Sequence, residues 1–564
     1  MGHSHDHAHP HSHEDLPPAL DPHVPDAELS PEELSRRGFL RNAGLLGAGA
    51  AAGGMLAAPS PASADPGVDT DRHGRTRPGS HGLKWLAGDH HIHTLYSGDG
   101  LYRVVDQVGH GAAYGLDWMV ITDHGSAQHV RIGVEKVNPD IRTAREQYKD
   151  TLVFQGLEWN IPAAEHGTVF VAPGRNEVAT LKEFEQAFDG SVNGTSGNTP
   201  ANEALAIAGV KWLGEAVRKR KIDDALFLPN HPARNGIDSP HEIRAWRDAD
   251  PSIAVGFEGA PGHQAAGIPT PLGGGGARGF YGNSPNANSF PGYPIESYRT
   301  WGGFDWMTAV VGGLWDSLLA EGKGWWITAN SDSHVNYGEQ ATRGPGSDFN
   351  ANGFHNDPVY GQPTTLTAGD FFPGYYSRTH VGARDTSYRA VMEGIRAGRV
   401  WVDHGGLISA LDIELRPVGR GPGVTLGDTL RVRKGTSVEL VITIDLANTP
   451  NWANFVPTLA KVDVIAGTVT GAVSDRDTFV APDTKVVKTF EVNRNTGRVS
   501  FTYPVGRVEK AAYFRVRGSD GKRLAPGPRG AAVDPAGPPI DVVGQADPWN
   551  DLWFYANPVW VLPL

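Results

Sequence analysis

Side chains able to bind metal recur in this chain at one kind of place, the end of an apolar run. The stretch GDHHIHTLYSGDG, residues 88–100, follows KWLA and sets three histidines and two aspartates in thirteen positions. WMVITDH ends on His124, LVFQGLE on Glu158, ALFLPNH on His231, IAVGFE on Glu258, and WWITANSDSH on Asp332 and His334. In an extended strand residues i and i+2 point the same way, so His91 and His93 can grip one centre while Ile92 faces the packing. Asp332 and His334 repeat that spacing across Ser333, and Asp89 and His90 read as supporting neighbours. A single histidine at a strand end is ordinarily a hydrogen-bonded structural residue; agreement across many strand ends reverses that reading. The chain has no cysteine, which excludes disulfides and thiolate-bound zinc. Nitrogen and carboxylate donors suit zinc, manganese or iron without choosing among them.

These residues need elements that bring them together. From Trp85 to about His404 short apolar runs alternate with helical patterns such as ANEALAIAGVKWLGEAVRKRK and PHEIRAWRDAD, the pattern of β/α units. The C-terminal strand ends of a β/α barrel converge on one face, which would gather the scattered ligands into one cluster. Only the fourth strand candidate, GTVFVAP, does not end on a ligand. Long Gly/Asn/Pro-rich insertions near 187–202, 264–300 and 335–370 have the length of lids or binding loops. Beyond Gly405 apolar and polar residues alternate between turn signals, as in SVELVITIDLA and RVSFTYPV, which predicts an antiparallel β-sandwich. The aromatic end, WNDLWFYANPVWVLPL, is expected to pack back on the barrel or close the sandwich. The expected organisation is a head and signal over 1–64, a linker over 65–83, an α/β barrel over 84–404, and a sandwich with its tail over 405–564.

The head carries histidines at alternate positions from His3 to His13, a tract that binds metal weakly at best and is set apart from the site. SRRGFLRNA, with Arg36 and Arg37, precedes a Gly/Ala-rich apolar stretch that closes on Ala62-Ser63-Ala64. It looks like a twin-arginine export signal, with cleavage favoured over anchoring because the stretch is short and glycine-rich. A secreted protein is expected, with the twin-arginine machinery as partner and no stable membrane insertion after cleavage. The net charge of −13 over 564 residues argues against nucleic acid as a ligand.

Taken in order, HIHTLYSGDG, ITDHG, GLEW, NHP and NSDSH resemble the motifs of the PHP (polymerase and histidinol phosphatase) superfamily. The resemblance covers roughly residues 84–404 and implies a distorted seven-stranded β/α barrel, three metal ions on nine ligands, and hydrolysis of phosphate esters. Carried over position by position, it implies His91 and His93 on one ion, with Glu158 bridging to a second completed by His124, His166 and His231. A third would take Asp99, Asp332 and His334. Here Ser97-Gly98-Asp99-Gly100 is one residue longer than the family's Ser-Asp-Gly, and His166 competes with Glu165. Two to three divalent ions would turn a water into hydroxide and polarise the phosphoryl oxygens of a small phosphate mono- or diester. A cation for the remaining phosphate charge is expected at Arg234, with Arg378 in reserve, and a proton donor or supporting group at His263 or Glu258. Two alternatives stay open: a carbamate or carboxylic ester hydrolase on the same metals, and a metal- or cell-wall-binding protein without activity.

Overall fold

The computed structural model describes residues 81–522 and 547–564, apart from 282, 283 and 420. The His-rich head, the twin-arginine segment and all but the end of the linker lie outside the described residues. Strand β1 (Lys84–Asp89) is buried at every position after its first, and β2 (Trp118–Ile121) throughout. Such runs do not alternate because both faces are covered, as in the parallel centre of an α/β sheet. β1 pairs in parallel with β2, and β2 with β3 (Leu152–Asn160). β4 (His166–Val171) then turns back antiparallel to β3, and β5 (Ala225–Pro229) antiparallel to β4.

Helices fill the connections. α1 (Val104–Ala113) joins β1 to β2 and α2 (His129–Gln147) joins β2 to β3. α3 (Glu177–Phe188) and α4 (Pro200–Arg218) lie between β4 and β5. α5 (Pro240–Ala249) follows β5, and its start is written in the sequence. Ser239 and Glu242 form a reciprocal capping box around a first-turn proline, a pair that satisfies orphan N–H groups at the helix start. α6 (Leu314–Ala320) lies between β6 (Gly256–Ala260) and β7 (Trp326–Ala329).

The hydrogen bonding does not run round as a closed ring of seven strands. β6 and β7 form their own two-stranded parallel sheet, tied to their neighbours by the isolated bridges Phe227–Ala254 and Ile92–Ser333. The reason lies at β1, whose second edge is taken along five residue pairs by the antiparallel β10 (Ser377–Ala383). Within the third insertion, β8 (Glu339–Thr342) and β9 (Val359–Thr365) make a separate hairpin.

From β10 the central sheet continues through β11 (Val400–His404) into the C-terminal region. That region adds β12 (Ile408–Pro417), β13 (Thr429–Val432), β14 (Ser437–Leu446), β15 (Lys461–Thr468), β16 (Lys485–Glu491), β17 (Arg498–Arg507), β18 (Ala512–Ser519), β19 (Trp553–Ala556) and β20 (Val559–Pro563). β12, β14 and β17 form an antiparallel sheet. β14 alternates strictly between buried and half-buried or exposed, the signature of a sheet with one face on a core. Its inward residues, including Leu440, Ile442 and Ile444, share a core with Val462, Val464, Val516 and Phe554 of the central sheet. The aromatic tail is a structural part of that sheet, because β19 lies between β11 and β18 and pairs with both.

Candidate metal centre

The ends of β1, β2, β3, β5 and β7 converge, and the fourth strand joins them from its other end. β4 runs antiparallel to β3, so its first residue, His166, stands where the other strands place their last. This is why GTVFVAP lacked a terminal ligand.

Glu158 is the hub. Its Oε1 lies 2.9 Å from His91 Nε2, 3.3 Å from His166 Nδ1 and 3.5 Å from His231 Nε2. Its Oε2 lies 2.7 Å from His124 Nδ1 and 3.3 Å from His93 Nε2. Asp332 Oδ1 lies 3.0 Å from His91 Nε2 and 3.2 Å from His93 Nε2, so the two imidazoles share two carboxylates. Asp99 reaches the cluster despite the extra glycine, with Oδ2 3.3 Å from His124 Nε2 and Oδ1 3.5 Å from His334 Nε2. Its turn is held by Arg343 Nη2 and His355 Nε2, both donating to the Gly98 carbonyl at 2.9 Å. All nine sequence-predicted ligand positions are therefore brought together.

The donor set fits metal ions. Donors about 2.1 Å from one ion stand roughly 3.0–3.4 Å apart in octahedral or tetrahedral arrangements, the range in which most of these pairs fall. His93 Nε2, Glu158 Oε2, His166 Nδ1, His231 Nδ1, Asp332 Oδ1 and His334 Nε2 are buried and make no hydrogen bond of acceptable geometry. Such atoms are rare in folded proteins and call for an ion or a water. Three groupings of these side chains can each hold a metal: His93, Asp99, His124 and His334; His91, His93 and Asp332; and His124, Glu158 and His166.

A second layer holds the first. Glu258 lies with Oε1 3.2 Å from His91 Nδ1, accepts from Asn330 Nδ2 at 3.0 Å, and takes the His231 N–H on Oε2 at 2.8 Å. His91 Nε2 is thereby left for the cluster, the usual arrangement around a ligating imidazole. His93 Nδ1 faces Ser97 Oγ at 2.8 Å, which donates to Asp123. Asn230 Nδ2 donates to Glu158 Oε1 at 2.9 Å. His90 sits behind, between Thr168 and Thr328. Asp370, which sequence reasoning missed, accepts the His334 N–H at 2.7 Å and pairs with His263 Nδ1. The other nitrogen of His263 lies 2.8 Å from Asp332 Oδ2, so the ring expected to donate a proton has both nitrogens on carboxylates.

Electrostatics keep the carboxylates charged. Burial pushes Glu158 and Asp332 up, but adjacent imidazoles, with His91 first in both cases, hold them well below the usual range. Burial likewise opposes ionisation of Asp99, and His334 and His124 overcome it. Burial lowers His93 and His231, favouring the neutral imidazole that can ligate. It also acts against a charged His263, yet Asp370 and Asp332 raise that ring to about 10.

Backbone strain marks the same residues. His231, Asp332 and His263 adopt positive φ of 32°, 48° and 55°, conformations that cost of order 1–3 kcal/mol each and persist where the surroundings over-determine them. Gly262 is a close approach in this loop, since a Cβ there would overlap Asp332 Cβ and the Ser331 carbonyl.

The cluster opens into a cavity of about 480 Å³ lined also by Arg234, Phe280, Val335, Thr365 and residues 367–370. Arg234 is half-buried and makes no ion pair among the described residues. Arg378 stands away from this cavity, paired at 2.9 Å with Asp403, which also contacts His380.

No family model matches the chain, and no curated protein matches it. One solved structure, described as a two-domain protein containing a predicted PHP-like metal-dependent phosphoesterase from Bacteroides vulgatus ATCC 8482, is similar over 78% of this chain and 93% of that one. The identity is 14% and the TM-score 0.31, a likeness too distant to say anything of this chain's chemistry beyond what its own side chains show.

Proposed function

We propose that this chain is a metal-dependent hydrolase of small phosphate mono- or diesters. The observation that carries the reading is the set of six buried histidine and carboxylate atoms without hydrogen bonds among the described residues, five of them on residues that line one cavity. The ligands in this reading are His91, His93, Asp99, His124, Glu158, His166, His231, Asp332 and His334, holding two or three divalent ions of the zinc, manganese or iron type. Bound ions of this kind supply a hydroxide near neutral pH and polarise the phosphoryl group.

The chain's own residues do the rest. Glu158 presents an oxygen to each of two histidine groups and would help hold more than one ion. Arg234, at the cavity wall and without an ion pair among the described residues, takes a non-bridging phosphate oxygen, an interaction that gains strength as negative charge develops. His263, held between Asp370 and Asp332, is assigned to orienting the Asp332 carboxylate. The barrel expected from the sequence is supported by the bridges Phe227–Ala254 and Ile92–Ser333, which lead from β1–β5 to β6–β7. Export by the twin-arginine route is proposed on Arg36, Arg37 and the stretch up to Ala64.

Elemental analysis of the metal-supplemented protein should find about two to three equivalents, and less than one in folded protein sinks the multinuclear site. A panel of bis-nitrophenyl phosphate, nitrophenyl phosphate and naphthyl carbamate then reads the bond. Turnover of a phosphate, lost in His93→Ala and Asp332→Ala, is expected. Turnover of the carbamate alone replaces the phosphate reading, and turnover of none refutes hydrolysis.

A further inference from the structure

The residues that line the cavity are of two kinds. Part of the lining is the ligand cluster with Arg234; the rest is Phe280, Val335, Thr365 and residues 367–369. Phe280 is the unusual member. It adopts φ +53°, a left-handed conformation that bulky residues rarely enter, and its side chain is nevertheless 46% exposed. Its ring lies 4.5 Å from the His263 ring at 34°. On the other side it rests on Gly369, where a Cβ would overlap it. A strained backbone and a partly uncovered apolar ring are each unfavourable.

We propose that Phe280 and its neighbours form a subsite for an aryl substituent of the ester substrate, stacked on Phe280 while Arg234, which lines the same cavity, holds the anionic phosphoryl oxygen. The substrate class that follows is a phosphate ester bearing an aromatic apolar group. The proposal rests on the hydrolase reading only for what happens at the reactive end, since ring stacking is a binding property.

The test uses the full-length, metal-supplemented protein and two ligands that cannot be hydrolysed, 1-naphthylmethylphosphonate and methylphosphonate, titrated by calorimetry. The wild type should bind the naphthyl ligand more tightly. Phe280→Ala should cut that preference by about two- to tenfold, the size of an aromatic stacking contribution. Phe280→Leu, which keeps an apolar side chain without a ring face, should fall between and covers the case in which the alanine variant does not fold. With 1-naphthyl phosphate and methyl phosphate as substrates, the ratio of their kcat/KM values should fall by the same factor, because leaving-group effects cancel between variants. No naphthyl preference in the wild type, or a ratio unchanged in both variants, overturns the subsite. A naphthyl preference in binding that depends on Phe280, with no ester turned over, supports the subsite and refutes the hydrolase.

Discussion

Replacing Glu258 by glutamine tests whether the cluster depends on its second layer. The carboxylate faces three groups with two oxygens: His91 Nδ1 and Asn330 Nδ2 on Oε1, and the His231 N–H on Oε2. Burial raises its pKa, and the His91 charge draws it below the usual carboxylate value, so it works as an anion. A glutamine keeps the shape but has one acceptor. With its oxygen toward His91 and Asn330, its amide meets the His231 N–H, leaving two buried donors opposed at the 2.8 Å separation now spanned by a hydrogen bond. Each orphaned donor costs about 1–3 kcal/mol of stability. Loss of the anion behind a ligating imidazole should weaken metal binding by about 10- to 100-fold, or roughly 1.4–2.7 kcal/mol. Competition against a calibrated chelator measures the affinity, and thermal melts with and without metal separate it from the stability loss. Hydrolysis should return at excess metal. Wild-type metal affinity together with a wild-type melting temperature would show that Glu258 neither orients His91 nor supports the His231 backbone, and the account of the second layer would fail.

Further outcomes are expected. Arg234→Ala should lower kcat/KM for a phosphate ester by roughly 10²–10³ with metal content unchanged; a loss of metal instead would make it a structural residue. Gly262→Ala should displace Asp332 and reduce metal content, read by elemental analysis, because the new Cβ overlaps backbone as well as side chain; unchanged content contradicts the close approach. His404 is buried, has no hydrogen bond on either ring nitrogen among the described residues, and is flanked by Tyr376 and Phe304. Burial, reinforced by Arg278, lowers its pKa well below 6.5. The unfolded chain therefore takes up a proton first, and this contribution to stability is whole above pH 6.5 and lost as pH falls below it. His404→Phe removes it, so the stability of variant over wild type should grow by about 1.4 kcal/mol per pH unit below 6.5, measured by denaturant melts between pH 7 and 5; a difference independent of pH refutes the neutral ring.

Most of the ligand cluster was legible because strand ends are local. His91, His93, His124, Glu158, His231, Asp332 and His334 each close an apolar run, and alternation alone sets which residues point together. His166 was found through resemblance rather than pattern, since the pattern assumed parallel strands and β4 is reversed. Asp370 left no signal of its own: it sits in a long insertion, and only the tertiary path of residues 335–370 brings it to His263. The C-terminal strands were visible through period-two alternation. What local periodicity does not carry is pairing, and so neither β10 on the edge of β1 nor β19 between β11 and β18 could be anticipated.

The position of β19 has a consequence for synthesis. β11 ends at His404, whereas the strand that covers its free edge begins at Trp553, about 150 residues later. At translation rates of 5–20 residues per second the interval is roughly 7–30 s. Throughout it the N-terminal part of a nascent chain holds an unpaired strand edge of the kind that templates aggregation. A ribosome-bound intermediate of this protein would therefore depend on a holding chaperone, or on a provisional partner for β11, until its last strands emerge.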